Sequence, residues 1–181
     1  NHAMASAVNM LGDVHGGAGE QCLEMLQKVK ELLDQGGRLE ESVSEEIANH
    51  RQTKGKYIPG FGHRFHKPED PRAPRLMKLV SDAEGEKIVN GNFMRIGLEI
   101  QRQLSQGKST GIAMNIDGAT AVIFGELGFA PPLARGLFCL SRSVGILAHA
   151  WEQKNQGGRN KGPTPPEFLW NYSGKNPLEE G

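Results

Sequence analysis

The chain has 181 residues, 21 basic against 21 acidic side chains, 37% hydrophobic residues and 6% aromatics. That length can bury a real core in one domain or one and a half, while balanced charge and scarce aromatics exclude general binding to nucleic acid or to an anionic membrane surface. No apolar run reaches the roughly 18 residues of a membrane span and no signal peptide is evident.

The hydrophobic pattern predicts helices joined by glycine- and proline-rich loops, with no convincing strand: an all-α fold. Ala3 to Leu11 reads as a short buried helix, followed by a turn of Gly12-Asp13-Val14-His15-Gly16-Gly17-Ala18-Gly19. An amphipathic helix runs from about Glu20 to Gln35, with Cys22, Leu26, Val29 and Leu33 at helical spacing, and Gly36-Gly37 ends it. A polar helix from about Leu39 to Thr53 buries a narrow face through Val43 and Ile47. Lys54 to Pro71 is a long loop, and such loops in compact domains carry function or are disordered. Helices follow from about Pro71 to Ala83 and from about Lys87 to Ser105, the latter with Ile88, Met94, Leu98 and Leu104 among its apolar positions. A loop from Lys108 to Asn115 leads into a helix near Asp117 to Leu127, and the most apolar helix spans about Leu133 to Gln153. The tail from Gly157 onward, rich in Gly, Pro, Asn and charge, is expected to be an extended arm or partly disordered. Cys22 and Cys139 lie in apolar helical patterns without CxxC spacing, so two buried thiols in a reducing cytoplasm are expected, rather than a disulfide or a zinc site.

Four places carry candidate chemistry. His15 stands on a glycine turn just before a helix, where backbone N–H groups and the positive dipole end suit a neutral imidazole that polarises a carbonyl; it could equally cap its neighbouring helix. Between Ile58 and Arg72, two histidines, two arginines and a lysine fall close together, a set suited to carboxylate or phosphate ligands. Metal binding by His63 and His66 is the rival there, weakened by the helix-breaking glycines and prolines and by the lack of a third nearby ligand; a solvated basic loop is the other. Asp117 follows Asn115-Ile116 at a helix start, where an aspartate taken alone reads as an N-cap. Arg142 interrupts the most apolar helix and needs either a partner carboxylate or a ligand carboxylate if buried; His149, seven residues on, reads as a packing histidine.

In order and spacing these segments resemble the citrate synthase family. Val14-His15-Gly16-Gly17-Ala18 is similar to the family's first active-site histidine motif, and Pro59-Gly60-Phe61-Gly62-His63 to its second. Asp70-Pro71-Arg72 resembles its carboxylate-binding Asp-Pro-Arg, Asn115-Ile116-Asp117 its catalytic aspartate motif, and Ser141-Arg142-Ser143-Val144-Gly145 the segment with a second carboxylate-binding arginine. The resemblance covers the chain to about Asn155. It implies a mostly helical enzyme in which residues 1–14 end a large domain, 15–117 form a small domain, 118–155 return to the large domain and 156–181 are an extended tail.

The resemblance also implies an activity: making or breaking the carbon–carbon bond between acetyl-CoA and oxaloacetate, as a citrate synthase or, acting on citryl-CoA, a citryl-CoA lyase. Gly-His-Arg at residues 62–64 and the Asp-Pro-Arg-Ala-Pro-Arg run look closer to the lyase branch. His15, His63 and Asp117 would be catalytic, Arg72 and Arg142 would hold substrate carboxylates, and Pro59, Gly60, Phe61, Gly62, Lys67 and Lys108 would contact the coenzyme A thioester, a substrate rather than a tightly bound cofactor; no metal is implied. A homodimer in the cytoplasm is expected. So are a further substrate-binding histidine in the remainder of the large domain and a third arginine, for which Arg159 is the nearest candidate. Two alternatives stay open: 2-methylcitrate synthesis from propionyl-CoA, and a catalytically incomplete module that only binds CoA or a 2-oxo acid.

Overall fold

The computed structural model describes residues 1–66, 69–158, 162 and 164–168. These residues form seven α-helices: α1 (His2–Asn9), α2 (Ala18–Asp34), α3 (Leu39–Thr53), α4 (Arg72–Gly85), α5 (Asn92–Ser105), α6 (Ile116–Glu126) and α7 (Pro131–Asn155), with one 3-10 turn at Pro166–Phe168. Among the described residues no strand forms; β-type pairing is confined to two isolated bridges, Gly12 with Gly16 and Phe61 with Met114. The all-α expectation holds.

The core lies between α2, α3, α5 and α6. Helix α2 supplies Cys22, Leu23, Met25, Leu26 and Val29, all essentially removed from solvent, and packs most extensively against α6. Val43 and Ile47 of α3 and Ile96, Ile100 and Leu104 of α5 close the interior. Each such aliphatic side chain contributes about 1.5–3 kcal/mol on burial. Helix α6 can sit centrally because most of its inward residues are small: Gly118 admits the Gly60 backbone and Gly125 the Phe93 ring, with Ala119 and Ala121 buried between them.

Helix α3 matches its predicted limits, and α2 differs from its own by two residues at the start and one at the end. Other expectations are corrected. The helix expected from Lys87 begins only at Asn92, since Lys87 and Gly91 are both left-handed (φ 61° and 69°) and break the chain after α4. The start of α5 is then fixed from a distance, the Glu126 carboxylate accepting from Gly91 N (2.9 Å), Phe93 N (2.7 Å) and Met94 N (3.1 Å). Ile88 is therefore an exposed loop residue, and Leu98 faces solvent.

Helix α1 has no buried residue, and α7, despite its apolar sequence, buries only Ala134. Leu133, Leu140, Val144, Leu147 and Trp151 are exposed along α7. Cys139 is half-buried rather than buried, and His149 is exposed, paired with Glu152 at 3.2 Å, rather than packed inside. No helix among the described residues is long and apolar enough to cross a membrane. Residues 159–161, 163 and 169–181, which include the tail arginine Arg159, lie outside the described residues.

Two loops meet beside the candidate site residues. Gly62 N donates to Ala113 O (2.7 Å) and Asn115 N to Gly60 O (3.0 Å), so the Gly60–Gly62 loop lies flat along Ala113–Asn115. This approach needs glycine on both sides. A Cβ on Gly60 (φ 83°) would stand 2.6 Å from Cys22 Sγ and 2.8 Å from Gly118 Cα; one on Gly118 would stand 2.3 Å from Gly60 O. Gly60→Ala should therefore lower unfolding stability by about 2 kcal/mol or more, combining left-handed strain with overpacking. Chemical denaturation of the two proteins measures this directly.

Candidate active site

Asn115 organises the site. Its Oδ1 accepts from Asp117 N (2.9 Å) and Gly118 N (3.2 Å), capping α6, while its Nδ2 donates to Gly62 O at 2.7 Å. The cap expected of Asp117 is thus filled by Asn115. The Asp117 side chain, in the first turn of α6, is left for other work.

The surroundings of Asp117 define the chemistry available. Burial raises its carboxyl above the ordinary aspartate range, and the charges of Arg72, His15, His63 and Arg142, in that order, act to lower it. All four candidate partners, drawn from four separate stretches of sequence, thus lie within electrostatic reach of one half-buried carboxyl group. The thiol of Cys22 lies close by in the core, its acidity suppressed by burial and then by the Asp117 charge.

Each partner is held differently. His63 Nδ1 accepts from both Phe65 N and His66 N at 3.0 Å, which fixes the tautomer carrying its proton on Nε2 and leaves that N–H free to donate. The His66 ring lies against it, with centroids 4.4 Å apart. Arg72 is clamped by Asp70: Nε to Oδ1 at 2.9 Å and Nη2 to Oδ2 at 2.8 Å, with Arg72 N and Ile116 N each 3.1 Å from the same carboxylate. Among the described residues two of its five guanidinium N–H groups are bonded, leaving three. Helix α7 adds Phe138, which meets the His15 ring edge-on (centroids 6.1 Å apart, planes at 88°) and supports the Arg142 guanidinium at 5.4 Å. Arg142 is exposed and rests on this ring; the buried, paired charge considered from sequence is not what forms.

A cleft of about 910 Å³ opens beside this cluster and shares His63 with it. Four cations line it, Arg51, Lys56, Arg64 and Lys108, with Phe61 and Gly62 on its wall. Of the residues expected to meet a thioester, Phe61, Gly62 and Lys108 face this cleft. Pro59 is not among its lining residues, and Gly60 is buried against Cys22 and Gly118. Lys67 lies outside the described residues. Among the described residues no three His, Cys, Asp or Glu side chains group to hold a metal ion.

Sequence reading missed Asp70, Asn115 and Phe138 as positioning groups, and Arg51 and Lys56 as cleft cations. For Phe138 a signal existed: it precedes Arg142 by four residues and so shares its helical face. For Arg51 and Lys56 none did, because they enter the cleft only through the fold.

The chain as a whole has known counterparts. Residues 1–163 match the family described as citrate synthase, C-terminal domain. The chain belongs to the citrate synthase family. The citrate synthase of Acidithiobacillus ferridurans is 30% identical over 166 residues, covering 90% of this chain and 40% of that protein. The citryl-CoA lyase of Hydrogenobacter thermophilus superposes with a TM-score of 0.74 at 30% identity, covering 96% of this chain and 63% of that one. The citrate synthase of Thermotoga maritima gives 0.64 at 29% identity, covering 94% and 44%. The chain thus spans about two-fifths of the length of its curated relatives and somewhat under two-thirds of the lyase.

The Asp70 clamp has a pH signature. The Arg72 guanidinium holds the Asp70 carboxyl well below the ordinary range, so its contribution is fully present above the unfolded carboxyl pKa of about 4 and is lost as pH falls below it. Asp70→Asn should be less stable than the parent protein at pH 7. The gap should narrow steadily below about pH 4, measured by denaturation across that range.

Proposed function

We propose that this chain carries the acid–base and carboxylate-binding groups of an enzyme that makes or breaks the carbon–carbon bond between acetyl-CoA and oxaloacetate. The single observation that carries the reading is Asp117, a half-buried carboxyl group with His15, His63, Arg72 and Arg142 all in electrostatic reach. A thioester methyl proton is very weakly acidic, and a carboxylate removes it only where the enolate is stabilised as it forms. Asp117 takes that proton and His15 hydrogen-bonds the thioester oxygen. The enolate carbon attacks the keto carbon of oxaloacetate, whose oxygen receives a hydrogen bond and then a proton from His63 Nε2. The free N–H groups of Arg72 and those of Arg142 hold the carboxylates. Cleavage of citryl-CoA runs the same steps backwards: His63 accepts the hydroxyl proton and Asp117 returns a proton to the leaving enolate.

In this reading the phosphates of coenzyme A lie toward Arg51, Lys56, Arg64 and Lys108, with Lys67 also expected there, and the cleft leads the thioester to His63. Residues 15–117 form the small domain. Helices α1 and α7 join a larger helical body, and the exposed Leu133, Leu140, Val144, Leu147 and Trp151 support further helix packing there and assembly as a cytoplasmic homodimer. A second reading, a module that binds CoA or a 2-oxo acid without turnover, is favoured by this same uncovered face.

Asp117→Asn, assayed with acetyl-CoA plus oxaloacetate and with citryl-CoA, should lose about 10²–10⁴-fold in kcat. Near-parental turnover would remove Asp117 from its role, while calorimetric CoA binding in a parent protein without turnover would favour the module. Propionyl-CoA compared with acetyl-CoA separates 2-methylcitrate synthesis, since one methylene shifts binding by only about 1–3 kcal/mol. Because the base must be ionised and burial raises its pKa, kcat/KM should fall as pH drops through a value above the usual aspartate range, and this acid limb should vanish in Asp117→Asn.

Lys108→Ala and Arg51→Ala should each raise KM for the thioester about tenfold with little change in kcat, an effect that shrinks as salt is added. Steady-state kinetics at two ionic strengths checks it. An unchanged KM would put the phosphates elsewhere.

A further inference from the structure

We infer that Arg135 is a positioning residue for His15. This rests on the reading of His15 as the donor to a thioester oxygen, and it concerns a residue that neither the sequence motifs nor the proposed chemistry uses. His15 needs an external anchor. Its turn is exposed and glycine-rich, with Gly12, Gly16 and Gly17 around it, and its main internal tie is one hydrogen bond from Gly12 N to His15 O at 3.0 Å. A turn of this composition samples many conformations unless something fixes it.

Arg135, in the second turn of α7, supplies that anchor. Its Nη2 donates to Asp13 Oδ1 at 2.6 Å, two residues before His15, and its Nε pairs with the Glu20 carboxylate at the start of α2. Both atoms of the second pair are removed from solvent. A planar guanidinium that donates to one carboxylate and pairs with a second is tied at two points, which a single flexible ammonium would not provide. The turn is moulded to this group: a Cβ on Gly17 would stand 3.1 Å from Arg135 Nη2 and 2.8 Å from the backbone of Asp13.

The position of Arg135 on α7 gives the contact its functional sense. Arg135, Phe138 and Arg142 follow at three and four residues and share one face of the helix. Arg135 holds the turn, Phe138 meets the His15 ring edge-on, and Arg142 lies over the same phenyl group. One helical stripe therefore sets the separation between an imidazole and a carboxylate-binding guanidinium. An ion pair that merely joined α7 to α2 would need Glu20 alone; the second arm, to Asp13, reaches the turn that carries His15.

The test compares the parent protein, Arg135→Gln, His15→Ala and the double variant, with thermal midpoints measured for all four. One oriented donor contributes about 10²–10³-fold to kcat. Arg135→Gln is expected to lose about 10–100-fold of this with KM for oxaloacetate little changed, and less than about threefold once His15 is already alanine. Arg135→Lys should recover only part of the loss, since it keeps the charge without the fork. Equal losses in both backgrounds would overturn the inference and leave Arg135 a structural ion pair.

If His15→Ala turns over like the parent protein, the role given to His15 fails, and imidazole ¹H–¹³C NMR then decides the matter of Arg135. Positioning requires the His15 ring signals to shift or broaden in Arg135→Gln while those of His63 and His149 stay in place; unmoved His15 signals would overturn it. Should Arg135→Gln fail to fold, Asp13→Asn removes the one arm that reaches the His15 turn, leaves the Glu20 pair intact, and is read in the same way.

Discussion

The site depends on three hydrogen bonds made by one side chain. Asn115 caps α6 with its oxygen and grips Gly62 O with its nitrogen, so a helix start and a distant loop are fixed relative to each other by one amide group. Since both the capping position and the loop carbonyl are buried or partly so, losing the amide would leave backbone groups unpaired, which costs more than the bonds themselves contribute. Asp117 follows two residues later on the helix, and His63 follows Gly62 on the loop. Their proximity is therefore a consequence of backbone pairing and does not rely on attraction between the two side chains. In the proposed reading that matters, because a base and an electrophile must both stay available to a ligand.

Around this fixed pair the charges are balanced rather than neutralised. Burial pushes the Asp117 carboxyl toward its neutral form, and two guanidinium and two imidazole groups pull it back. Asp70 is the contrasting case: fully buried, it accepts four hydrogen bonds, three of them from Arg72, and is held firmly ionised. Two aspartates near the same arginine thus have different fates, set by hydrogen bonding. The one with its oxygens occupied serves as scaffold, and the one without a direct partner among the described contacts is the one proposed to exchange protons.

Much of this was legible in the sequence. The amphipathic periods of α2 and α3 are clean, and five short motifs kept their order, so the family could be named in advance and the residues that gather around Asp117 could be marked as candidates. What failed has particular physical reasons. The start of α5 is set by Glu126, over thirty residues away, and no local propensity encodes that cap. Asp117 reads as a cap because aspartate favours that position, yet asparagine two residues earlier does the same work and can also donate. Helix α7 reads as buried because it is apolar, but among the described residues its Leu133–Trp151 seam has nothing packed over it, and periodicity reports that a face is apolar without reporting what covers it. Arg51 and Lys56 look like solvated charges until the cleft brings them to Lys108.

The distribution of the groups over the fold bears on how the site works. His63, Asp70, Arg72 and Asp117 stand on elements packed around α2 and α6, whereas Phe138 and Arg142 belong to α7, which packs against α1 and α2. His15 sits at the join, on the turn between α1 and α2. A ligand gripped by Arg142 on one side and by Arg72 on the other would therefore bridge two packing units, and its reacting atoms would be set by how those units meet. Part of the contact between them is one guanidinium with two carboxylate partners, beside the Phe138 ring packed on Gly16 and the His15 ring. In the proposed reading, ion pairs at this junction would help set the angle between the units once a thioester is bound. Geometry that must be tight during the chemical step and loose before it is better served by a few oriented polar contacts than by a continuous apolar core.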